Sequence, residues 1–384
     1  MKILLFNYEY PPLGGGAANA TQYLLKEFAK MDDVEVDLIT SSVGKNYQKE
    51  TIRDGITIHR LPIGKNTENL NYQSARDLSV YAFKAYFFAR EITRQKKFDL
   101  SHSFFTVPCG VISYLLFKQR KLPYIVSLRG ADVPGFSERF AGLYVVLRPI
   151  IVQIWKSATD VVACSKALRD LARKSNPKQE MRTIYNGIDT KRFRPEAYPD
   201  EYDRSFEILC ASRLSRRKGF RYAIDAFAII AEKYPNARLR ISGGDGNATA
   251  DLKKQVQDHQ LNSRVTFTGQ YAHDQAPEIY MGADAFVMPS LNEGMSNNLL
   301  EALASGLPVI VTPTGGAEEL VSNGDNGFIV PMKNPEAIAQ RLGELIENQG
   351  MARTMGRKSR AIAEKMSWGA AASQYRDLYH KTLE

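Results

Sequence analysis

Short apolar runs alternate with longer segments of mixed polarity along the chain. The run "KILLFN" (residues 2–7) predicts a strand, "NATQYLLKEFAKM" (19–31) has apolar positions at helical spacing, and "VEVDLIT" (34–40) again predicts a strand. Similar runs predict strands at "ITIHRL", "FDLSHSF", "YIVSLRG" and "DVVACS" in the first half, and at "FEILCA", "RLRIS", "RVTFTG", "DAFVMPS", "LPVIVTP" and "NGFIVP" in the second. The pattern therefore predicts strands and helices in alternation.

Short apolar strands bounded by glycine and separated by helices are typical of parallel sheets that are covered on both faces. The order repeats, which favours an α/β chain with two doubly wound domains. The polar, proline-rich stretch "NGIDTKRFRPEAYPDEYDRS" (residues 186–205) is the predicted seam. We expect one domain over residues 1–190 and a second over residues 191–367.

The composition is that of a globular protein, because 44% of the 384 residues are hydrophobic. The three cysteines lie far apart in apolar runs, which disfavours disulfides or a zinc site and indicates buried thiols in a reducing compartment. The first apolar run is too short for a signal peptide, and no run reaches the roughly 18 residues of a membrane span. We therefore expect a cytoplasmic protein.

The positive charge is confined to the first half of the chain. Residues 1–190 hold 27 Lys and Arg against 18 Asp and Glu, a net charge of +9, whereas residues 191–384 hold 24 of each. Such asymmetry is typical of proteins with an acidic partner, and an uneven solvated surface explains it equally well. The basic clusters form no nucleic-acid motif. Apolar residues alternate with cations in "LYVVLRPIIVQIW" (143–155), which fits peripheral docking at the inner face of the cell membrane better than nucleic-acid binding. For the aromatic residues of this half, burial in the core is nevertheless favoured over membrane anchoring.

Ligands of doubly wound sheets bind at the carboxyl ends of the strands, so the loops there are candidates. Gly14, Gly15 and Gly16 follow the first strand and enter a helix, where the backbone can approach a phosphate, although a plain tight turn explains them equally well. The loop "SRLSRRKG" (212–219) carries four cations ahead of a helix, which favours an anionic guest such as a diphosphate over a solvated basic loop. The glycine turn "SGGDGN" (242–247) is ambiguous by itself.

Two glutamates stand eight positions apart in "NEGMSNNLLEA" (292–302). Glu293 lies in the loop after a predicted strand, and the next helix is predicted to begin near Ser296 or Asn297, so the backbone NH groups there face any anion. Glu301 lies within that helix. A carboxylate only accepts hydrogen bonds, so each glutamate suits a partner rich in hydroxyls, such as a ribose or a sugar ring. A solvated loop acid and a helix-surface acid are the structural alternatives.

Several of these segments together resemble glycosyltransferases of family 4, which are retaining enzymes with the GT-B fold. The resemblance is carried by "EGMSNNLLE" (293–301), "GADAFVMPS" before it, "GLPVIVTPTGGAEELV" after it, "SRLSRRKG", the "GDG" of residues 244–246, "YNGID" (185–189) and "YPPLGGGA" near the start. It spans nearly the whole chain and is most specific in the second half. It implies an α/β protein of two facing Rossmann-like domains with a cleft between them, and a terminal helix over about residues 368–384 that packs back on the first domain.

The resemblance also implies a role for each matching residue. Arg213 and Lys218 are expected to neutralise the diphosphate of a nucleotide sugar, and Glu301 to hold its ribose. Glu293 is expected to hold the transferred sugar, together with the sugar- and phosphate-binding backbone of Gly294, Met295, Ser296 and Asn297. Gly244 and Gly246 are expected near the nucleotide, and the loop of Gly14, Gly15 and Gly16 is expected to close over the diphosphate from the first domain.

The chemistry follows from charge, because departure of a nucleoside diphosphate leaves negative charge on phosphate and positive charge on the sugar. With two cations at the phosphates, no metal or other cofactor is expected, and the chain has no Asp-x-Asp pair. Arg129 stands where many relatives have a histidine. An arginine is no base at neutral pH and favours an acidic group on donor or acceptor. His102 is a second candidate for a sugar contact, with a structural hydrogen bond as the alternative.

We therefore expect transfer of a hexose-type sugar from a nucleoside diphosphate sugar, with a uridine nucleotide favoured, to a glycolipid or surface polysaccharide. A GT-B nucleotide-sugar epimerase is an alternative that the glutamate pair disfavours, and a noncatalytic nucleotide-sugar-binding subunit is another. A dinucleotide-dependent dehydrogenase needs GxGxxG, and the spacing of "LGGGAANA" differs from it. Loss of Glu301 is expected to weaken nucleotide binding, and loss of Glu293 to slow transfer.

Overall fold

The computed structural model describes residues 1–53, 55–65, 70, 73–136, 141–195 and 205–384. The chain divides into two compact units, of which the first comprises Met1–Gly187 with Trp368–Glu384 and the second Ile188–Ser367. Each unit is an α/β structure with its own sheet and its own apolar core. Of the predicted seam (residues 186–205), residues 196–204 lie outside the described residues.

The sheet of the first unit has eight strands in the order β3-β4-β2-β1-β5-β6-β7-β8. Only β3 is antiparallel, to β4 at the edge, and the other pairs are parallel. The strands are β1 (Lys2–Phe6), β2 (Glu35–Val43), β3 (Gln48–Arg53), β4 (Ile56–Lys65), β5 (Leu100–Phe104), β6 (Tyr124–Leu128), β7 (Asp160–Ala163) and β8 (Arg182–Thr183). The six strands predicted from apolar runs are all present, whereas β3 and β8 were not predicted.

Helices connect the parallel strands of this sheet. They are α1 (Gly16–Phe28), α2 (Ala75–Gln95), α3 (Val111–Arg120), α4 (Ala141–Ser157) and α5 (Lys166–Arg173). Local sequence fixes their starts: a capping box joins Ser74 and Asp77 at α2, and the Ser165 hydroxyl accepts from the backbone NH of Leu168 at α5. A short π-helical turn precedes α3. The helices pack against the strands, because a parallel sheet is stable only when both of its faces are covered.

The second unit has six parallel strands in the order β11-β10-β9-β12-β13-β14. They are β9 (Phe206–Ala211), β10 (Ala237–Ser242), β11 (Val265–Gly269), β12 (Ala285–Met288), β13 (Val309–Val311) and β14 (Gly327–Ile329). The helices are α6 (Phe220–Ala231), α7 (Thr249–Asp258), α8 (Ala276–Tyr280), α9 (Asn297–Ala304), α10 (Ala317–Leu320), α11 (Pro335–Glu347) and α12 (Gln349–Glu364). The strand order reverses beside β9, which is where such sheets bind ligands.

The last helix, α13 (Trp368–Leu383), belongs to the first unit. The Trp368 ring stacks on that of Tyr23 with centroids 5.3 Å apart and an interplanar angle of 6°. Further along the helix, the Arg376 Nε donates to an Asp33 carboxylate oxygen at 2.8 Å, and a ring nitrogen of His380 lies 2.9 Å from the same oxygen. A buried aromatic contact and a surface ion pair thus hold α13 against the unit that begins the chain.

Two further expectations concern burial and membrane spans. Cys109, Cys164 and Cys210 are all buried, as their apolar surroundings predicted, and burial raises the pKa of the Cys109 thiol to about 12. Among the helices of the described ranges, none combines the length and the apolar character that crossing a bilayer requires.

Candidate functional site

Four loops of the second unit meet at the carboxyl ends of adjacent strands. They follow β9, β10, β12 and β13, which are neighbours in the sheet order β10-β9-β12-β13. The loops contain, in turn, the cationic segment, the GDG turn, Glu293 and a Gly-Gly pair at Gly315. Parallel strands bring these loops to one edge of the sheet, so residues far apart in sequence become neighbours.

The cationic loop and the GDG turn pack directly on each other. The Leu214 NH donates to the Gly244 carbonyl at 2.8 Å. A side chain at Gly243, whose φ is +145°, would place its Cβ 1.9 Å from the Ser212 carbonyl oxygen, and one at Gly246 would place it 2.7 Å from the Arg213 Cγ. Arg213, the predicted phosphate-binding cation, therefore lies beside Gly244 and Gly246, the glycines predicted near the nucleotide. Only glycine allows so close a contact.

The same cationic loop also contacts the Glu293 loop. The Leu291 NH donates to the Arg217 carbonyl at 2.8 Å, and a Cβ at Gly219, whose φ is +68°, would lie 2.0 Å from the Pro289 carbonyl oxygen. The two loops are thus in backbone contact. Lys218 ends a short 3₁₀ turn just before α6, and its side chain reaches Glu293 in the other loop.

Lys218 and Glu293 form a buried ion pair. Nζ lies 2.6 Å from Oε1 of Glu293, and the Ser290 hydroxyl donates to the same oxygen at 2.8 Å. Burial raises the pKa of Glu293, but the positive charges of Lys218 and Arg217 outweigh burial and hold that pKa below its ordinary value. Glu293 is therefore a fixed negative charge at neutral pH, with Lys218 as its counter-ion.

A glycine that the sequence interpretation left without a role supports this loop. A Cβ at Gly315 would lie 2.0 Å from the Glu293 carbonyl oxygen. The loop after β13 can therefore approach the Glu293 backbone this closely only if residue 315 is glycine. The Thr312 hydroxyl bonds to the Ser290 carbonyl from the same segment. The sequence signal was the paired glycine after an apolar strand, which indicates a close backbone approach.

The helix after Glu293 begins as predicted. Ser296 is the N-cap of α9, and its hydroxyl accepts from the Leu299 NH at 3.3 Å. Gly294, Met295 and Ser296 are buried, and Asn297 is half-buried at the first helical position. These four predicted donor-binding residues form one continuous turn between Glu293 and the helix.

Glu301 is not on a helix surface but is buried inside α9, only 8% exposed, as Glu293 is. The Tyr280 hydroxyl donates to its Oε2 at 2.6 Å, and the Asn298 amide approaches the same oxygen at 3.4 Å. Burial raises the pKa of Glu301 to about 7, despite the hydrogen bond from Tyr280 and the charge of Arg192. Tyr280 comes from α8 and was missed, because nothing in "PEIYMGADAF" marks its hydroxyl.

The glycines predicted to contact phosphate in the first unit lie at the start of α1. Gly15 is the N-cap, Gly14 has a φ of +95°, and the helix begins at Gly16. The Glu9 carboxylate lies against this turn: its Oε2 accepts from the Gly15 NH at 3.3 Å, and a Cβ at Gly14 would lie 2.6 Å from that of Glu9. The turn thus presents backbone NH groups at a helix N-terminus, with a side-chain carboxylate already beside them.

His102 has the position of a structural residue. It lies within β5, not at its end, and both ring nitrogens have partners, Nδ1 with the Tyr379 hydroxyl at 2.8 Å and Nε2 with the Ser127 hydroxyl at 2.7 Å. Burial and nearby Arg129 hold its pKa well below the ordinary value, which keeps the ring neutral. Of the two sequence-based interpretations, this geometry favours the structural hydrogen bonder.

Arg129 directly follows β6 and is half-buried. Its Nη1 donates to the Asn186 amide oxygen at 2.9 Å, and its guanidinium lies 3.7 Å from the centroid of the Phe104 ring. The loop that carries it is organised by buried Asp132, which accepts from the backbone NH groups of Arg129, Gly130 and Thr106. Asp132 was not predicted from the sequence, and it holds the backbone of the loop that carries Arg129.

Among the residues that the structure describes, no group of three or more His, Cys, Asp or Glu side chains is placed to hold a metal ion. The charged centre of the site in the second unit is instead the pair of Lys218 and Glu293, with Arg213 and Arg217 on the same loop.

Two family models match the chain in succession. "Glycosyltransferase Family 4" matches residues 14–192 and "Glycosyl transferases group 1" matches residues 195–362, so together they cover most of the sequence. The chain belongs to glycosyltransferase family 4. This confirms the resemblance and establishes the protein as a transferase of glycosyl groups.

Named relatives match the transferase over most of its length. N-acetyl-alpha-D-glucosaminyl L-malate synthase of Bacillus anthracis is 25% identical, with 97% of this chain and 96% of the relative covered. Alpha-monoglucosyldiacylglycerol synthase of Streptococcus pneumoniae is 26% identical, with 84% of this chain and 74% of the relative covered. Both relatives are named for sugar-containing products.

Solved structures confirm the GT-B fold of the transferase. Sucrose-phosphate synthase from Thermosynechococcus elongatus superposes with a TM-score of 0.85 at 23% identity, covering 99% of this chain and 98% of that one. The HepE protein of Anabaena, solved in complex with UDP-glucose, superposes with a TM-score of 0.76 at 21% identity, covering 99% and 100%. At these identities the likeness shows the fold alone.

Proposed function

We propose that the transferase moves a hexose-type sugar from a nucleoside diphosphate sugar to a glycolipid or surface-polysaccharide acceptor, with retention at the anomeric carbon. A uridine diphosphate sugar is the favoured donor. The observation that carries the proposal is the buried ion pair of Lys218 and Glu293, 2.6 Å apart, which joins the cationic loop to the loop that leads into the helix of Glu301.

The pair suits the charges that develop during transfer. As the bond between sugar and diphosphate breaks, negative charge grows on the leaving phosphate oxygen and positive charge on the sugar ring. Lys218 and Arg213 stabilise the phosphate charge, and Glu293, held ionised by its low pKa, stabilises the ring. The acceptor oxygen forms the new bond to the anomeric carbon on the face from which the diphosphate leaves, and the diphosphate accepts the proton of the acceptor hydroxyl. In this scheme the positive charge comes from side chains, and no metal ion is needed.

Glu301 has a different part in this proposal. Its Oε2 is occupied by the Tyr280 hydroxyl, so a ribose diol is expected to use the other oxygen. The NH groups of the turn from Gly294 to Asn297 lie between the two glutamates in sequence and are the candidates for the sugar and phosphate oxygens. Arg129 offers a fork of donors for an acidic group on donor or acceptor.

Comparison with relatives supports the substrate classes. The HepE protein, which shares the fold, was solved in complex with UDP-glucose, so a uridine nucleotide is the donor to test first. The pneumococcal relative is named for a glucosylated diacylglycerol, which supports a lipid acceptor, and so does the net charge of +9 in the first 190 residues. The proposed location is the cytoplasmic face of the cell membrane, with peripheral association through the basic first domain.

A thermal-shift screen tests the donor half of the proposal directly. The protein is heated with a panel of nucleoside diphosphates and their sugars, and ligand binding raises Tm according to its affinity. We expect UDP-sugars to raise Tm most, and the shift to persist in a chelator. If no nucleotide sugar raises Tm, the proposal is wrong. If a bound donor is returned as an epimerised free nucleotide sugar, without transfer to any acceptor, the epimerase alternative replaces it.

A further inference from the structure

The outward face of α4 is apolar, the reverse of what a helix on a sheet normally shows. Tyr144, Ile151 and Trp155 of α4 are buried. On the opposite face, Val145 is 77% exposed, Val146 70% and Ile150 50%. Spacings of three and four place Val145, Val146 and Pro149 on one stripe, and from residue 142 to residue 153 this outward face carries no charged side chain.

Cations flank this stripe. The Arg148 guanidinium on the side of α4 donates to the Lys174 and Ser175 carbonyls at 3.3 and 3.4 Å, which places the C-terminal end of α5 beside α4. Arg173, Lys174 and Lys178 are exposed there. Over residues 141–178 the chain has seven Lys and Arg against two Asp and no Glu, a net charge of +5 out of the +9 of the whole protein.

We propose that this surface, the apolar stripe of α4 (Val145, Val146 and Ile150) with the cations at and after the end of α5 (Arg173, Lys174 and Lys178), docks the first unit on an anionic lipid bilayer. Exposed apolar side chains favour insertion at the boundary between headgroups and acyl chains. Cations at the same level favour phosphate headgroups and add affinity that salt weakens. A neutral protein partner would use the stripe but would leave the cluster of cations without a counterpart.

The docking surface rests on the proposed function, because it specifies how an enzyme with a lipid-linked acceptor would reach the membrane. A bilayer beneath α4 would bring a lipid-linked acceptor to the first unit without a membrane span. The physical claim is separable from catalysis, because binding to lipid needs neither donor nor acceptor. Failure of the docking test therefore leaves the sugar-transfer proposal standing, and failure of the donor screen leaves docking standing.

Flotation of the purified full chain with vesicles tests the surface. The vesicles are pure phosphatidylcholine, or phosphatidylcholine with about one third phosphatidylglycerol to supply a negative surface. We expect the wild type to partition onto anionic vesicles at least tenfold more than onto neutral ones, and less as salt rises. The double variant V146D/I150D is expected to lower partitioning on anionic vesicles at least tenfold, and R173E/K174E to lower it only on anionic vesicles.

Ile229→Asp is the matched control, since Ile229 is a similarly exposed apolar residue (53%) on α6 of the second unit. It should partition like the wild type, and all variants should keep the wild-type Tm, because the altered side chains are exposed. The proposal is overturned if the wild type floats with neither vesicle, or if V146D/I150D floats as I229D does. It is also overturned if the wild type forms a concentration-dependent dimer that V146D/I150D abolishes while lipid binding is unchanged, since the stripe would then join two copies of the chain.

Discussion

Glu293 and Glu301 are equally buried, each 8% exposed, yet their surroundings differ in kind. Glu293 is paired with a cation, Lys218, and its pKa is lowered. Glu301 is paired with a neutral phenol, that of Tyr280, and its pKa is raised to about 7. Burial alone therefore does not decide the charge of a carboxylate; the charge of its hydrogen-bond partner does. One glutamate is a permanent charge, and the other titrates near neutral pH.

Removing the cation should have the largest effect. In Lys218→Met the Glu293 carboxylate stays buried, with the Ser290 hydroxyl still donating to it but without its counter-ion. Breaking a buried pair in this way costs about 3–5 kcal/mol of unfolding free energy. Urea unfolding at neutral pH measures it. A second substitution, Glu293→Gln, should restore much of the loss.

The chain offers a matched control for this substitution. Lys233 and Glu347 are also 2.6 Å apart, but their side chains are 69% and 56% exposed. Lys233→Met should leave stability nearly unchanged, because solvent screens exposed pairs. Equal losses in the two methionine variants would show that the burial of the Glu293 pair has no energetic consequence.

Neutralising the two glutamates should separate transfer from binding. Glu293→Gln removes the charge proposed to stabilise the sugar ring and is expected to lower kcat by about 10²–10³-fold, with a smaller change in donor Kd. Glu301→Gln should mainly raise the donor Kd. Steady-state transfer assays and donor titration on the same preparations measure both quantities. A kcat unchanged in Glu293→Gln contradicts the proposed mechanism.

Removing the hydroxyl that holds Glu301 should have an intermediate effect. Tyr280→Phe deletes the hydrogen bond to Oε2, a bond to a charged group worth about 1.5–3 kcal/mol, so donor affinity should fall about tenfold or more. Because that hydrogen bond lowers the pKa of Glu301, its loss should also raise the pKa further. Tyr234→Phe is the control, since the Tyr234 hydroxyl also donates to a glutamate, Glu347, at 2.6 Å, but at an exposed site. If both variants bind donor equally well, Tyr280 does not position Glu301.

The smallest effect is the pH dependence of donor binding. Ribose hydroxyls need an acceptor, so the ionised form of Glu301 binds them, and with a pKa of about 7 the donor Kd should rise about tenfold from pH 8 to pH 6. Without donor the sign reverses: a raised pKa contributes stability below the ordinary pKa of glutamate, and this is lost as pH rises through about 7. Calorimetric titration across this range measures Kd. Glu301→Gln should flatten the profile, and a persistent slope would assign it to another group.

The sequence predicted the architecture well because apolar runs report burial directly. All twelve strands drawn from such runs are present. The two missed strands lack that signal: every residue of β3 is exposed, since β3 pairs only at the edge of the sheet, and β8 has two residues. A strand that is held only by backbone hydrogen bonds at the edge of a sheet needs no buried side chains, so its sequence shows no hydrophobic pattern.

Residue types in the candidate site were predictable, but their partners were not. The strand order, not proximity in sequence, brings Lys218 to Glu293 and Gly315 beneath that loop. His102 shows the same limit in reverse. Its strand continues to Phe104, and its ring is held by Tyr379, 277 positions away, so a residue expected at a strand end lies in the core. Contacts between residues this far apart in sequence depend on the fold, so the spacing of residues within one segment does not predict them.

Gly315 has a consequence for reading mutational data on this protein. Any side chain there would push on the backbone of Glu293, because its Cβ would lie 2.0 Å from that carbonyl oxygen. A survey of random substitutions that scores only lost activity would therefore place position 315 among the chemically active residues, although glycine has no side chain with which to react. Inactive variants at position 315 should have a displaced Glu293 loop, whereas inactive variants at position 293 should keep the loop in place. Second substitutions that enlarge the space beneath the loop should restore activity only to the variants at position 315.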